Sequence, residues 1–291
     1  MKRRYLFVLN PISGNGDDRE EVKEQLFQQL HGIDLEVWET TGKEDDPKRI
    51  RDILSSENWD GVLVGGGDGT VKIVVEAAVG TDLPIGIVPL GSANGLATCF
   101  GIHSISDACH AILMDRTKAV DLWRINDEIF VHLSDFGFNA GLVKRSRYES
   151  TRGMMAYFMS SFAQFTELKP YHFTIKLEEE VIEVDAKMLV IANGSKYGTG
   201  ALINPNGKVD DGLFEIVVLN PEGFEEILRL SVELFKGTLA DSEMVKIWSA
   251  NKVEISNPDG ADFQIDGEVM PKTATIKVYP VDEKINFYCL E

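Results

Sequence analysis

Residues 62–70 read Val62-Leu63-Val64-Gly65-Gly66-Gly67-Asp68-Gly69-Thr70, with three consecutive glycines between a β-branched apolar run and a segment of helical periodicity. So little side chain marks a place where the backbone turns sharply or comes close to something else. The N–H groups that open the following helix make such a turn suited to an anion. The run is one of a set. Short apolar or β-branched stretches at 5–9, 34–38, 61–64 and 85–88 alternate with helical-period segments at 19–31, 46–57 and 70–80. That rhythm predicts a parallel sheet covered by helices. Ligands of such sheets sit beyond the carboxyl ends of the strands, and three of these strands lead directly into glycine-bearing loops at 10–16, 65–70 and 89–95.

From about residue 120 the pattern changes to strand after strand, with candidates at 119–125, 129–136, 171–177, 181–193, 213–219, 252–256, 262–265 and 274–279. Helical stretches interrupt only at roughly 150–166 and 222–236. Strands without crossover helices pair antiparallel, so the second half is expected to be a β-sandwich or flattened barrel. The expected fold is α/β plus all-β in two domains: an open parallel sheet over 1–120 and an antiparallel β-sandwich over 121–291. The last strand is free to pack back on the first domain, and the active site is expected in the cleft between the two.

Lys and Arg number 29 against 47 Asp and Glu, a formal charge of -18. That field repels polyanions and excludes general nucleic-acid binding, so an anionic ligand must meet a local exception. Lys144, Arg145, Arg147 and Arg152, opposed only by Glu149, form one beside the Met- and aromatic-rich stretch Met154 to Phe165. Such a segment suits anionic headgroups and an acyl chain; an ordinary core-facing helix with a solvated basic turn has equal standing. Cys99, Cys109 and Cys289 lack metal-ligand spacing and read as buried thiols of a reducing compartment. The apolar run at 5–9 is broken by Asn10-Pro11, and no segment approaches the roughly 20 apolar residues that span a bilayer. The expected location is cytoplasmic, peripheral to a membrane at most.

Two acidic motifs suggest chemistry. Asp68 would repel phosphates in its own loop unless it faces a metal ion or takes the proton of an attacking hydroxyl; the plain alternative is a helix N-cap. Asp266-Gly267-Glu268 sets two carboxylates across a glycine, so a strand-to-turn geometry would aim both at one Mg²⁺ or one hydroxyl, against the alternative of a solvated hairpin turn. A P-loop is absent, and Thr70 stands where a dinucleotide fingerprint needs its third glycine.

Asn10-Pro11-Ile12-Ser13-Gly14, Gly66-Gly67-Asp68-Gly69-Thr70 and Pro89-Leu90-Gly91-Ser92-Ala93-Asn94 resemble the three nucleotide-loop motifs of the diacylglycerol kinase/sphingosine kinase family. Gly137-Phe138-Asn139-Ala140, Ala192-Asn193-Gly194, Asp210-Asp211-Gly212-Leu213 and Asp266-Gly267-Glu268 follow in that family's order. The resemblance implies transfer of the γ-phosphoryl group of ATP, with Mg²⁺, to the hydroxyl of a lipid alcohol, diacylglycerol or sphingoid-base-like. Asp68 and Glu268 would then be catalytic and would hold the catalytic Mg²⁺. Asn10, Ser13, Thr41, Gly66, Gly67, Gly69, Thr70, Ser92, Asn94 and Asp266 would line the nucleotide. Arg145, Arg147 and Arg152 would meet substrate or membrane in a transient contact, and Asp211 would hold a structural Mg²⁺. A homodimer is compatible with this reading. Ile73 replaces the family's acidic residue, Gly95 follows the sphingosine-kinase form of the third loop, and Gly141 stands where sphingosine kinases place an Asp. Two other functions stay open: a catalytically silent nucleotide- or lipid-binding module, and a kinase of a soluble nucleotide such as NAD, whose kinases share Gly-Gly-Asp-Gly-Thr.

Overall fold

The computed structural model describes residues 2–13, 19–91, 93–137, 169–197 and 200–291. It contains two compact units, Met1–Val120 with Asp282–Glu291, and Asp121–Val281.

The first unit is built on strands β1 (Arg3–Leu9), β2 (Ile33–Glu39), β3 (Gly61–Gly66), β4 (Ile85–Pro89) and β5 (Thr117–Val120), joined by the chain's last strand, β18 (Ile285–Tyr288). They form one sheet in the order β2-β1-β3-β4-β18-β5, parallel except for the β18–β5 pair. Tyr5 to Leu9 and Val62 to Val64 are buried, as expected of central strands covered on both faces. The covering helices are α1 (Arg19–Gln29), α2 (Asp46–Ser56), α3 (Asp68–Ala78), α4 (Gly95–Cys99) and α5 (Ile105–Met114). The last two were not foreseen. Ser104 caps α5 by accepting the Asp107 N–H at 3.1 Å, a Ser-x-x-Asp start that its sequence carries openly.

The second unit is a β-sandwich. Strands β6 (Trp123–Ile125), β7 (Glu128–Phe130), β8 (Leu133–Gly137), β9 (Tyr171–Lys176), β10 (Val181–Ala186), β11 (Met188–Ala192), β12 (Phe214–Leu219), β13 (Val245–Ala250), β14 (Val253–Ser256), β15 (Phe263–Ile265), β16 (Glu268–Met270) and β17 (Thr275–Pro280) make two antiparallel sheets, β10-β9-β14-β17-β6-β7 and β13-β12-β11-β8-β15-β16. Trp123, Phe173 and Ile255 of one sheet meet Phe136, Ile191 and Ile216 of the other in a shared core. Helix α6 (Gly223–Lys236) covers the outer face of the second of these sheets, with Ile227, Leu230 and Leu234 packed against Val190 and Val217.

The α/β parallel sheet and the antiparallel sandwich are therefore both present. Three expected strands are each divided, however. The stretch 119–125 is split at Asp121-Leu122, between the sheets of the two units; 129–136 is split at Val131-His132; 181–193 is split at Lys187, where the chain passes from one sheet of the sandwich to the other. In the last case the pattern itself changes, from the half-exposed alternation of β10 to the wholly buried run of β11. The helix expected at 150–166 lies outside the described residues.

Candidate active site

In the first unit the ends of β1, β3 and β4 come together through backbone. Asn10 N donates to Gly65 O at 2.8 Å and Leu90 N donates to Gly66 O at 3.1 Å. Gly67 and Gly91 lie back to back: a Cβ on Gly91 would overlap the Gly67 Cα, and one on Gly66 would overlap the Thr70 side chain. Only glycine allows this approach. Gly67 is the extended N-cap of α3 and offers no side chain to its first N–H groups, the arrangement that receives anions at helix starts.

Side chains then tie the three loops to one another. Asn10 Oδ1 accepts the Ile12 N–H at 3.1 Å, and its Nδ2 donates to Thr70 Oγ1 at 3.1 Å. Asn94, at a φ of 52°, accepts from Gly91 N at 2.8 Å and donates to Gly91 O at 2.7 Å, closing the third loop on itself. The Asp68 carboxylate, partly exposed, accepts from Gly95 N at 2.9 Å and Leu96 N at 3.1 Å. It is not the N-cap of its own helix. It caps α4 instead, so the negative charge of the glycine loop is held by the start of a neighbouring helix.

The second unit holds the other acidic motif. Asp266 and Gly267 form a two-residue turn between the paired residues Ile265 and Glu268, with φ of 48° and 86°, the type I′ hairpin pattern. The Asp266 side chain turns inward, 5% exposed. It accepts from Val131 N at 2.9 Å, His132 N at 2.8 Å and Leu133 N at 3.1 Å. These bonds explain the break in 129–136: the N–H groups of 131–133 are spent on Asp266 rather than on a ladder.

Residues 4–125 match the family described as Diacylglycerol kinase catalytic domain, and residues 136–285 match the one described as YegS C-terminal NAD kinase beta sandwich-like domain. A diacylglycerol kinase of Mycobacterium tuberculosis is 30% identical over 94% of this chain and 91% of its own. The chain belongs to the diacylglycerol kinase family. A diacylglycerol kinase of Bacillus subtilis is 22% identical over 91% of this chain and 90% of its own. Among solved structures, a diacylglycerol kinase from Bacillus anthracis superposes with a TM-score of 0.76 at 21% identity, covering 99% of this chain and 97% of that one. An NAD kinase from Archaeoglobus fulgidus in complex with ATP gives 0.54 at 13% identity, covering 99% and 94%; it shares the fold.

For a chain of the diacylglycerol kinase family the expected residues fall into three groups. Asn10, Gly66, Gly67, Asp68, Gly69, Thr70 and Asn94 lie in the interlocked loops, and Ser13 follows them in the Asn10 turn, its N–H donating to Asn10 O at 3.2 Å. Thr41 is exposed at the end of β2, but its hydroxyl is committed to the buried Asp46 at 2.6 Å. Ser92, Arg145, Arg147 and Arg152 lie outside the described residues.

One expectation needs correction. Asp266 does not join Glu268 in presenting a carboxylate pair, because its oxygens are taken up by three backbone donors; Glu268, which opens β16, is partly exposed. Asp211 is an exposed turn residue that accepts the Leu213 N–H at 3.1 Å. Among the described residues no three His, Cys, Asp or Glu side chains gather to hold a metal ion.

Sequence reasoning passed over several residues that shape these loops. Asp46, fully buried, accepts from the N–H groups of Thr41 and Gly42 at 2.8 and 3.0 Å. Gln264 accepts the Gly267 N–H at 2.7 Å and donates to Asp135, pinning the hairpin from below. Asn193, singled out in the motif Ala192-Asn193-Gly194 but given no role there, accepts from Trp123 Nε1 at 3.0 Å and donates to the carbonyls of Asp121 and Val131 at 3.0 and 2.7 Å. A polar residue at the end of a wholly apolar strand, as Asn193 follows β11, signals such a tie.

Proposed function

We propose that this chain transfers the γ-phosphoryl group of ATP to the hydroxyl of a lipid alcohol. The observation that carries the reading is the side-chain-free contact of Gly67 with Gly91 at the opening of α3. It leaves a helix start lined by backbone in a chain whose net charge would otherwise repel a nucleotide. The acceptor oxygen attacks the γ-phosphorus, the bond to the bridging oxygen breaks, ADP leaves, and the hydroxyl proton passes to a carboxylate. Asp68 is the candidate in the first unit, oriented by Gly95 and Leu96. Glu268 is the candidate in the second, by the family resemblance.

The test is radiolabelled ATP with Mg²⁺ against diacylglycerol, a sphingoid base and NAD, with purified full-length chain. Label in a lipid and none in NAD is expected. Label in NAD alone, or in no acceptor, overturns the reading. Lipid access is proposed to run through Arg145, Arg147 and Arg152, each basic residue contributing roughly 1 kcal/mol near an anionic surface. Changing all three to Ser is expected to reduce turnover on anionic vesicles far more than on detergent-dispersed short-chain lipid. An equal loss on both substrates would assign them to the active site instead. No helix among the described residues is long and apolar enough to cross a membrane.

A further inference from the structure

The hairpin that carries Glu268 is held at both of its turn residues, by different means. Asp266 is fixed by residues 131–133: its carboxylate accepts their three N–H groups, and its own N–H donates to Leu133 O at 2.9 Å. Gly267 has no side chain to anchor, and space is open where a Cβ would stand. It is the residue type with the widest backbone freedom, and it immediately precedes Glu268. Its N–H donates to Gln264 Oε1 at 2.7 Å.

Gln264 lies opposite Asp135 in the pairing of β15 with β8. Its neighbours Phe263 and Ile265 enter the sandwich core, so by alternation it faces the other side of the sheet. It is 2% exposed, and an amide so buried is costly unless bonded. The Gly267 N–H can only donate, so the acceptor end of the amide faces the turn and the donor end faces the Asp135 carboxylate. The side chain thus joins a fully buried carboxylate on an interior strand to the peptide just before Glu268.

We propose that Gln264 is a positioning residue for phosphoryl transfer: by holding the Gly267 peptide it keeps the Glu268 carboxylate where the acceptor hydroxyl gives up its proton. The inference rests on the activity proposed above, with Glu268 as its carboxylate in the second unit. Without Gln264 the ties of Asp266 remain, and the turn is free to pivot at Gly267. That moves Glu268 without unfolding the hairpin, and a displacement of about 1 Å at a reacting group costs up to about 10²-fold in rate. Gln264 and its partners all belong to the second unit, whereas the glycine loops belong to the first, so the affinity for ATP is expected to stay as it is.

The test is a double-mutant cycle in the full chain, with radiolabelled ATP and the lipid that the wild type labels, at a temperature where circular dichroism shows every variant folded. Gln264→Met keeps the length of the side chain and removes both bonds. It is expected to lower kcat about 10–100-fold while KM for ATP changes less than about 2-fold. In a Glu268→Gln background the same change is expected to cost less than about 2-fold, because the group that Gln264 positions is already gone. If Gln264→Met fails to fold, Gln264→Asn, one methylene too short to span the turn and Asp135, replaces it. If Glu268→Gln leaves no measurable turnover, Glu268→Asp, which already draws the carboxylate back, takes its place with the same expectation. An unchanged kcat, a loss carried by KM alone, or an equal fold-loss in both backgrounds overturns the proposal and leaves Glu268 its role. A Glu268→Gln enzyme as fast as the wild type removes Glu268 from the reaction, and the proposal with it. A wild type that labels no acceptor overturns the activity itself and, with it, this proposal.

Discussion

Asp68-Gly69 and Asp266-Gly267 are the same dipeptide, each with its carboxylate taken up by backbone N–H groups, yet they sit in different backbone and different surroundings. Asp68 opens a helix, is partly exposed and accepts two N–H groups from α4. Asp266 occupies the left-handed region in a hairpin, is buried and accepts three N–H groups from 131–133. The contrast separates a carboxylate that can still meet a ligand from one that is a structural tie. A buried carboxylate with three donors is out of reach of a phosphate. One that is held in orientation while open to solvent keeps lone pairs for chemistry.

The most direct way to break the comparison is Asp266→Ala. It leaves three buried N–H groups without their acceptor, and the expected loss is about 3–5 kcal/mol in urea unfolding of the second unit. A wild-type midpoint would show that Asp266 is not a tie. Asp68→Asn sharpens the other side. It is expected to lower turnover about 10²-fold or more while costing only about 1 kcal/mol of stability, since one of two acceptors remains. Stability and turnover falling together would make Asp68 structural as well.

Next comes Gly91→Ala, which forces the second and third loops apart. We expect about 1–3 kcal/mol of destabilisation and weaker ATP binding by calorimetry, whereas Gly212→Ala, with open space around its Cβ, is strained only by its φ of 76°. Asn10→Ala removes the bond to Thr70 Oγ1 and the acceptor of the Ile12 N–H and is expected to cost about 1–2 kcal/mol, read as a small drop in thermal midpoint.

The smallest effect belongs to a clamp outside both motifs. His172 Nδ1 lies 2.8 Å from Asp185 and Nε2 lies 2.9 Å from Glu183. The Asp185 bond, then the Glu183 bond, hold the imidazole pKa above its ordinary value against desolvation. A raised value means that the clamp stabilises below the ordinary histidine range and is lost as pH rises through the raised pKa. An NMR titration of His172 is expected to end above that of an exposed peptide histidine. A midpoint at or below the peptide value would deny the clamp.

Local pattern was enough for the architecture, because buried parallel strands, amphipathic helices and alternating antiparallel strands each leave a period in the sequence. The glycine loops were legible for the same reason: a run such as Gly65-Gly66-Gly67 has few structural uses. Tertiary structure alone decided where the carboxylates point. The sequence favours Asp68 as a metal-facing or proton-accepting carboxylate over a helix N-cap, but nothing in it shows that α4 offers the carboxylate two N–H groups. Asp266 reads as one of an exposed pair until 131–133, more than 130 residues away in the chain, is seen to surround it. The breaks at Asp121-Leu122 and Val131-His132 were hidden in the same way. A strand ends where its N–H groups find a better partner than the ladder, and that partner is not a neighbour in the sequence.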